Sequence, residues 1–237
     1  MPEKLADARI SPFAPICPEF PRRAWAAWRA RVPMEGDYII GLGELRPLLI
    51  AWALAGAGEP VDPHAHLVLG LTGGRELRLR DPRKFGRAWL VADPQTVLGR
   101  LGPEPLDPAF TADALARRLG ARRCRLKPLL LDQEFVAGLG NIYVDESLWA
   151  ARLHPQRRAD EVGRPGALRL HAAIVDVLRR AVAARGSTLR DGGYRDLTGN
   201  PGEMQGSLAV YGRAGAPCPR CAAPIRRIVV AGRGTHL

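Results

Sequence analysis

Three patterns of apolar and polar positions follow one another along this chain. Between residues 38 and 91 short apolar runs alternate with turns, so that 38–42, 48–54, 66–71, 76–79 and 87–91 read as strands, with Gly73-Gly74 as a hairpin turn. Beyond a Pro- and Gly-marked linker at 92–107 the spacing becomes helical. A helix is predicted over 109–119, capped near Thr111. Residues 127–155 then read as two helices broken by a glycine turn. Leu129, Leu130, Phe135 and Val136 recur at helical spacing up to Gly138, and Ile142, Val144, Leu148 and Trp149 resume it after Gly140. A long amphipathic helix follows over about 165–184, with Leu168, Leu170, Ile174, Val175, Leu178 and Val182 expected to pack on that hairpin. Residues 186–206 lack periodicity and read as a flexible loop; 208–211 reads as a strand, and 225–230 with 233–237 as a β-hairpin. The first 36 residues carry one short helical signal, at Trp25 and Trp28.

This succession predicts an α+β chain with a β-sandwich-like part over 1–100, a helical part over 108–206 and a β-hairpin module over 207–237. At 237 residues with 46% hydrophobic side chains it can bury real cores. Charge changes the picture most. The net charge of +11, with a pI near 10.5, comes from an excess of arginine, whose planar fork suits bidentate phosphate contacts, so a polyanionic partner is expected. A GC-rich genome accounts for the choice of arginine over lysine better than for the net excess. No apolar run reaches a membrane-span length and no signal-peptide pattern opens the chain, so a cytoplasmic protein is expected. Of four cysteines, Cys17 and Cys124 stand alone, whereas Cys218 and Cys221 form a C-x-x-C pair suited to metal.

Candidate chemistry clusters in four places. Gly138, Gly140 and Asn141 form a turn into a helix N-terminus, where outward N–H groups favour an anion; the same turn also suits an ordinary helical hairpin with an asparagine cap. Arg117, Arg118, Arg122, Arg123, Arg125 and Lys127 lead into it with few interleaved acids. Residues 80–86, Arg-Asp-Pro-Arg-Lys-Phe-Gly, put an arginine and an aromatic on a rigid loop, able to fill a gap in a base stack or to make a β-turn with its Phe in the core. At the start, removal of Met1 would expose the secondary amine of Pro2 beside Glu3, and such an amine attacks an aldehyde carbon to form a Schiff base. His154 and His171 read as structural, and His236 as a doubtful ligand.

Taken together, DPRKFG at 81–86, KPLLLDQEFVAGLGNIYVDESLWAARLHP at 127–155, GSTLRD at 186–191, and VYGRAGAPCPRC with GRGTHL at 210–237 resemble the formamidopyrimidine-DNA glycosylase and endonuclease VIII family, and its formamidopyrimidine branch more closely. The resemblance covers about residues 60–237 and implies a β-sandwich, a helix-two-turns-helix domain and a zinc-finger β-hairpin. It further implies base-excision repair of oxidised purines with strand cleavage: Pro2 as nucleophile and Glu3 as acid, Arg83 and Phe85 as the wedge, Lys127, Asn141 and Arg233 at phosphates, residues 190–206 as the loop over the extruded base, and zinc on Cys218 and Cys221. The implied partner is duplex DNA with an oxidised base or abasic site, bound by a monomer in the nucleoid.

Some positions depart from the family pattern. Lys4-Leu5-Ala6-Asp7 stands where a second Pro-Glu is usual, Asp37 replaces a lysine in the Gly-Asp-Tyr strand start, Leu54 falls where a Met wedge is expected, and one cysteine pair is present where the finger has two. These departures keep a second expectation open, a catalytically impaired relative that binds damaged or abasic DNA. An RNA- or ribosome-binding protein is a third, opposed by the DPRKFG loop and the cysteine knuckle.

Overall fold

The strand pattern and the helical pattern fall into separate compact units, residues 1–97 with 188–202 and residues 98–187 with 203–237. The computed structural model describes residues 41–42, 51–71, 74–81, 88–89, 93, 95–189, 194–195 and 199–237. The first unit holds strands β1 (Gly41–Leu42), β2 (Ala51–Gly56), β3 (Ala65–Leu71), β4 (Arg75–Arg80) and β5 (Ala88–Trp89). β1 pairs with β5, and β2-β4-β3 form a three-stranded sheet, all antiparallel. Gly74 closes the β3–β4 hairpin at φ 71°, a conformation that glycine adopts without a Cβ clash. Leu69 and Leu79 are buried, while on the other face of β4 the buried Arg78 donates to Glu76 Oε2 (3.0 Å), Pro60 O (2.8 Å), Glu59 O (2.9 Å) and Gly56 O (3.1 Å). One guanidinium thus satisfies three carbonyls of the β2–β3 connection.

After a single turn, α1 (Gln95–Leu98), the second unit contains α2 (Ala112–Gly120), α3 (Leu126–Leu130), α4 (Asn141–Ala151), α5 (Gly163–Ala183) and the hairpin β6 (Arg227–Val230) and β7 (Arg233–His236). Thr111 caps α2 as expected, its Oγ1 accepting from Ala114 N at 3.2 Å. Leu115, Leu119, Leu126, Leu130, Phe135 and Val136 from the first half meet Val144, Leu148, Leu170 and Ile174 from the second in one core.

Three expectations change. The first helix of the 127–155 hairpin stops at Leu130, because Asp132 draws the following amides to itself: its side chain accepts from Glu134 N at 3.0 Å and its carbonyl from Phe135 N and Val136 N. In the long helix Leu168 and Val182 are exposed, at 42% and 67%, and the contacts they were expected to make fall to Ala167, Val177 and Ala181, which are buried. Residues 208–211 are not a strand, since their amides turn to a carboxylate on α4, described next.

Candidate nucleic-acid interface

α4 organises this surface. It starts after a turn in which Gly138 takes φ 76°, and Gln133 stitches that turn by accepting from Gly138 N (2.8 Å) and donating to Leu139 O (3.0 Å). Gly140 is the N-cap and lends no side chain, so Asn141 is the first helical residue and no side chain caps the opening turn, whose positive dipole end favours an anion. Asn141 is therefore not the cap that the sequence allowed.

Asn141 and Asp145 stand one helical turn apart and face the β6–β7 hairpin. Asn141 Nδ2 donates to Gly234 O at 3.1 Å, and Lys127 Nζ, from α3, donates to the same carbonyl at 3.0 Å. Lys127 also donates to Asp145 Oδ1 at 2.6 Å, and Asp145 Oδ2 accepts from His236 N at 2.9 Å with His236 Nδ1 3.2 Å away. Both side chains of the Lys127–Asp145 pair are fully buried. Burial pushes the Lys127 ammonium below the usual lysine range; the Asp145 carboxylate opposes that shift and the nearby Arg233 charge adds to it. Lys127, expected at a phosphate, thus faces inward and supports the hairpin from behind.

The hairpin turns through Ala231 and Gly232, at φ 49° and 73°, the two positive values of a type I′ turn. Arg233 follows directly, half-exposed and forming no ion pair among the described residues. Asn141 therefore bonds the carbonyl of Gly234, the residue next to Arg233.

Two more contacts bind the last 30 residues to α4. The buried Glu146 carboxylate accepts from Ala209 N (2.8 Å), Val210 N (2.9 Å) and Tyr211 N (2.8 Å). Arg220, between the two cysteines of the knuckle, lies 4.1 Å above the Trp149 ring and donates to Trp149 O at 3.0 Å. Cys218 is drawn down to about 7 by the Arg220 backbone N–H, then by the Trp149 side chain and the Cys221 backbone. That favours the thiolate form a metal takes. Among the described residues no cluster of three His, Cys, Asp or Glu could hold a metal, so Cys218 and Cys221 fit half of a tetrahedral zinc set. His236 is committed to Asp145 and stacks edge-on with Tyr211 at 4.9 Å. His171 is structural, as expected, on Phe110 O at 2.6 Å.

Pro2, Glu3, Arg83 and Phe85 lie outside the described residues, as do 190–193 and 196–198 of the loop. Asp145 and Glu146 went unnoticed in the sequence, where Trp149 entered only through its helical spacing. The signal for them was there: two consecutive acids inside an apolar helix need buried partners, and Asp145 repeats Asn141 at four residues. In the basic run, Arg118 turns inward to Phe135 O (2.8 Å), whereas Arg117, Arg122, Arg123 and Arg125 are exposed. No helix among the described residues is long and apolar enough to cross a membrane.

Comparison with known proteins agrees with this geometry. Residues 101–192 match the family model of the formamidopyrimidine-DNA glycosylase H2TH domain, and residues 215–237 that of the zinc finger found in FPG and IleRS. The formamidopyrimidine-DNA glycosylase of Herpetosiphon aurantiacus is 50% identical over 184 residues, 76% of this chain and 66% of that protein. That of Geobacillus kaustophilus is 49% identical over 189 residues, 78% and 68%. The chain thus spans about two thirds of the length of the relatives it matches. The crystal structure of MutM (Fpg) from Thermus thermophilus superposes with a TM-score of 0.74 at 42% identity, over 91% of this chain and 84% of that one. Lactococcus lactis Fpg in complex with DNA containing an abasic site gives 0.73 at 35%, over 87% and 79%. Because the sequence identity and the superposition both extend well beyond the two short modules, the chain belongs to the formamidopyrimidine-DNA glycosylase family.

Proposed function

We propose that this protein excises oxidised purines from duplex DNA and cuts the strand at the resulting abasic site. The observation that carries the reading is the junction at Gly234, whose carbonyl holds Asn141, at an open helix N-terminus, beside the hairpin residue Arg233. An amide, a helix N-terminus with no side-chain cap and a neighbouring arginine that forms no ion pair among the described residues make a grip for a phosphate diester. Solved relatives in complex with abasic-site DNA support that ligand.

In this reading Arg83 and Phe85 fill the gap left by the extruded nucleotide, and residues 190–206 close over its base. The Pro2 amine adds to the sugar C1′ as the glycosidic bond breaks and the base leaves. Glu3 protonates the ring oxygen, which opens the sugar and leaves an iminium on Pro2. Loss of a C2′ proton then expels the 3′ phosphate, a second elimination expels the 5′ phosphate, and hydrolysis frees Pro2. Cys218 and Cys221 would give zinc two of its four ligands, and the ion's part is to hold the knuckle against α4. The protein would act as a monomer on nucleoid DNA in the cytoplasm.

Borohydride trapping tests this reading. Reduction of the full chain mixed with an abasic-site duplex should give a covalent band mapped by mass spectrometry to Pro2, absent when a residue added before Pro2 turns its amine into a peptide nitrogen. Asp37, in place of the family's lysine, favours a second reading as a lesion binder without chemistry. Tight binding to the same duplex with no covalent band would establish that reading and overturn the first.

A further inference from the structure

The mechanism above leaves one buried group unused. The Asp145 side chain contacts no solvent, yet its two oxygens reach the hairpin by separate routes. Oδ1 fixes the Lys127 ammonium, which in turn donates to Gly234 O, and Oδ2 takes the main-chain N–H of His236 directly. β7 is thereby gripped at residues 234 and 236, two points on one strand, which suppresses both sliding and rotation of that strand against α4. Arg233 is the next residue toward the turn, and Asn141 shares the Gly234 carbonyl with Lys127.

We propose that Asp145 is the positioning residue of the phosphate grip: it touches no DNA, but through Lys127 and His236 it sets the reach of Arg233 relative to Asn141. The inference rests on the reading of this surface as the DNA interface. Among the described residues the ionisable groups packed around Asp145 are Lys127 from α3, His236 from β7 and, through Lys127, Arg233. A carboxylate is required because one group must accept from an ammonium on one oxygen and from a main-chain N–H on the other.

The test is the salt dependence of binding to a duplex carrying a tetrahydrofuran abasic analogue, measured for the full chain, Arg233→Ala, Asp145→Asn and the double variant. Losing one phosphate contact lowers the slope of log K against log salt by about one. Asp145→Asn should lower the slope as Arg233→Ala does, and the double variant should lower it no further. If Asp145→Asn loses its cooperative unfolding transition, Lys127→Met/Asp145→Leu removes the same tie without leaving a buried charge and is read the same way. An unchanged slope in the Asp145 variant, or a loss that adds to that of Arg233→Ala, overturns this inference alone. An unchanged slope in Arg233→Ala overturns the interface reading and takes the inference with it.

Discussion

The Glu146 carboxylate meets three main-chain N–H groups and forms no ion pair among the described residues. A neutral amide in its place offers one acceptor and turns an N–H toward donors, so Glu146→Gln should destabilise the helical unit by about 2–3 kcal/mol. Thermal unfolding checks this, and an unchanged melting temperature would mean that residues 208–211 are held by something else. Asp62 shows the opposite, surface case. His64 N (2.7 Å) and then Arg80 (2.7 Å) hold its carboxyl below the usual value of 3.8, so the folded form binds the proton less readily than the unfolded chain. Its contribution is present above pH 3.8 and is lost as pH falls through the folded value. Asp62→Asn should therefore lower stability slightly near neutrality, leave it little changed at the acid end, and so flatten the acid limb of the stability curve. At 39% side-chain exposure the effect should be small and weakened by salt.

Among the elements, the turn between α3 and α4 is met closely by Gly102. A Cβ on Gly102 would lie 2.6 Å from the Phe135 carbonyl carbon and 2.7 Å from its oxygen, and main chain yields less readily than a side-chain end. Gly102→Ala should cost about 1–3 kcal/mol and loosen the turn that leads to Asn141. Denaturant unfolding and amide exchange of residues 133–140 measure both effects, and unaltered exchange would show that the 102–135 contact does not support the turn. The helices themselves were legible because the spacing of Leu115 and Leu119, or of Leu170 and Ile174, reflects one buried stripe. The end of α3 was less legible, because apolar spacing continues through Phe135 and Val136 although the backbone leaves the helix at Asp132. Periodicity reports which side chains are buried, whereas the local competition of an Asp side chain for amides decides whether the chain between them is helical.

For the whole molecule, a net charge of +11 predicts duplex binding that weakens steeply with salt even without a lesion. Titrations of an intact duplex at several salt concentrations should show that weakening, with the abasic duplex binding more tightly at each; equal affinity for the two would count against lesion recognition. That charge and the succession of strand-rich, helical and hairpin segments were determined by the sequence alone, since each depends on residues adjacent or a few positions apart. The partners of the buried charges were decided only by the tertiary structure. Lys127 meets Asp145 across 18 residues and Gly234 across 107, and Asp145 meets His236 across 91. No local spacing records such pairs, and a lysine in a basic run reads as a solvent-facing cation until the fold buries it. The reason is physical: a charge is placed by whatever desolvates and compensates it, and here that is a hairpin from the far end of the chain.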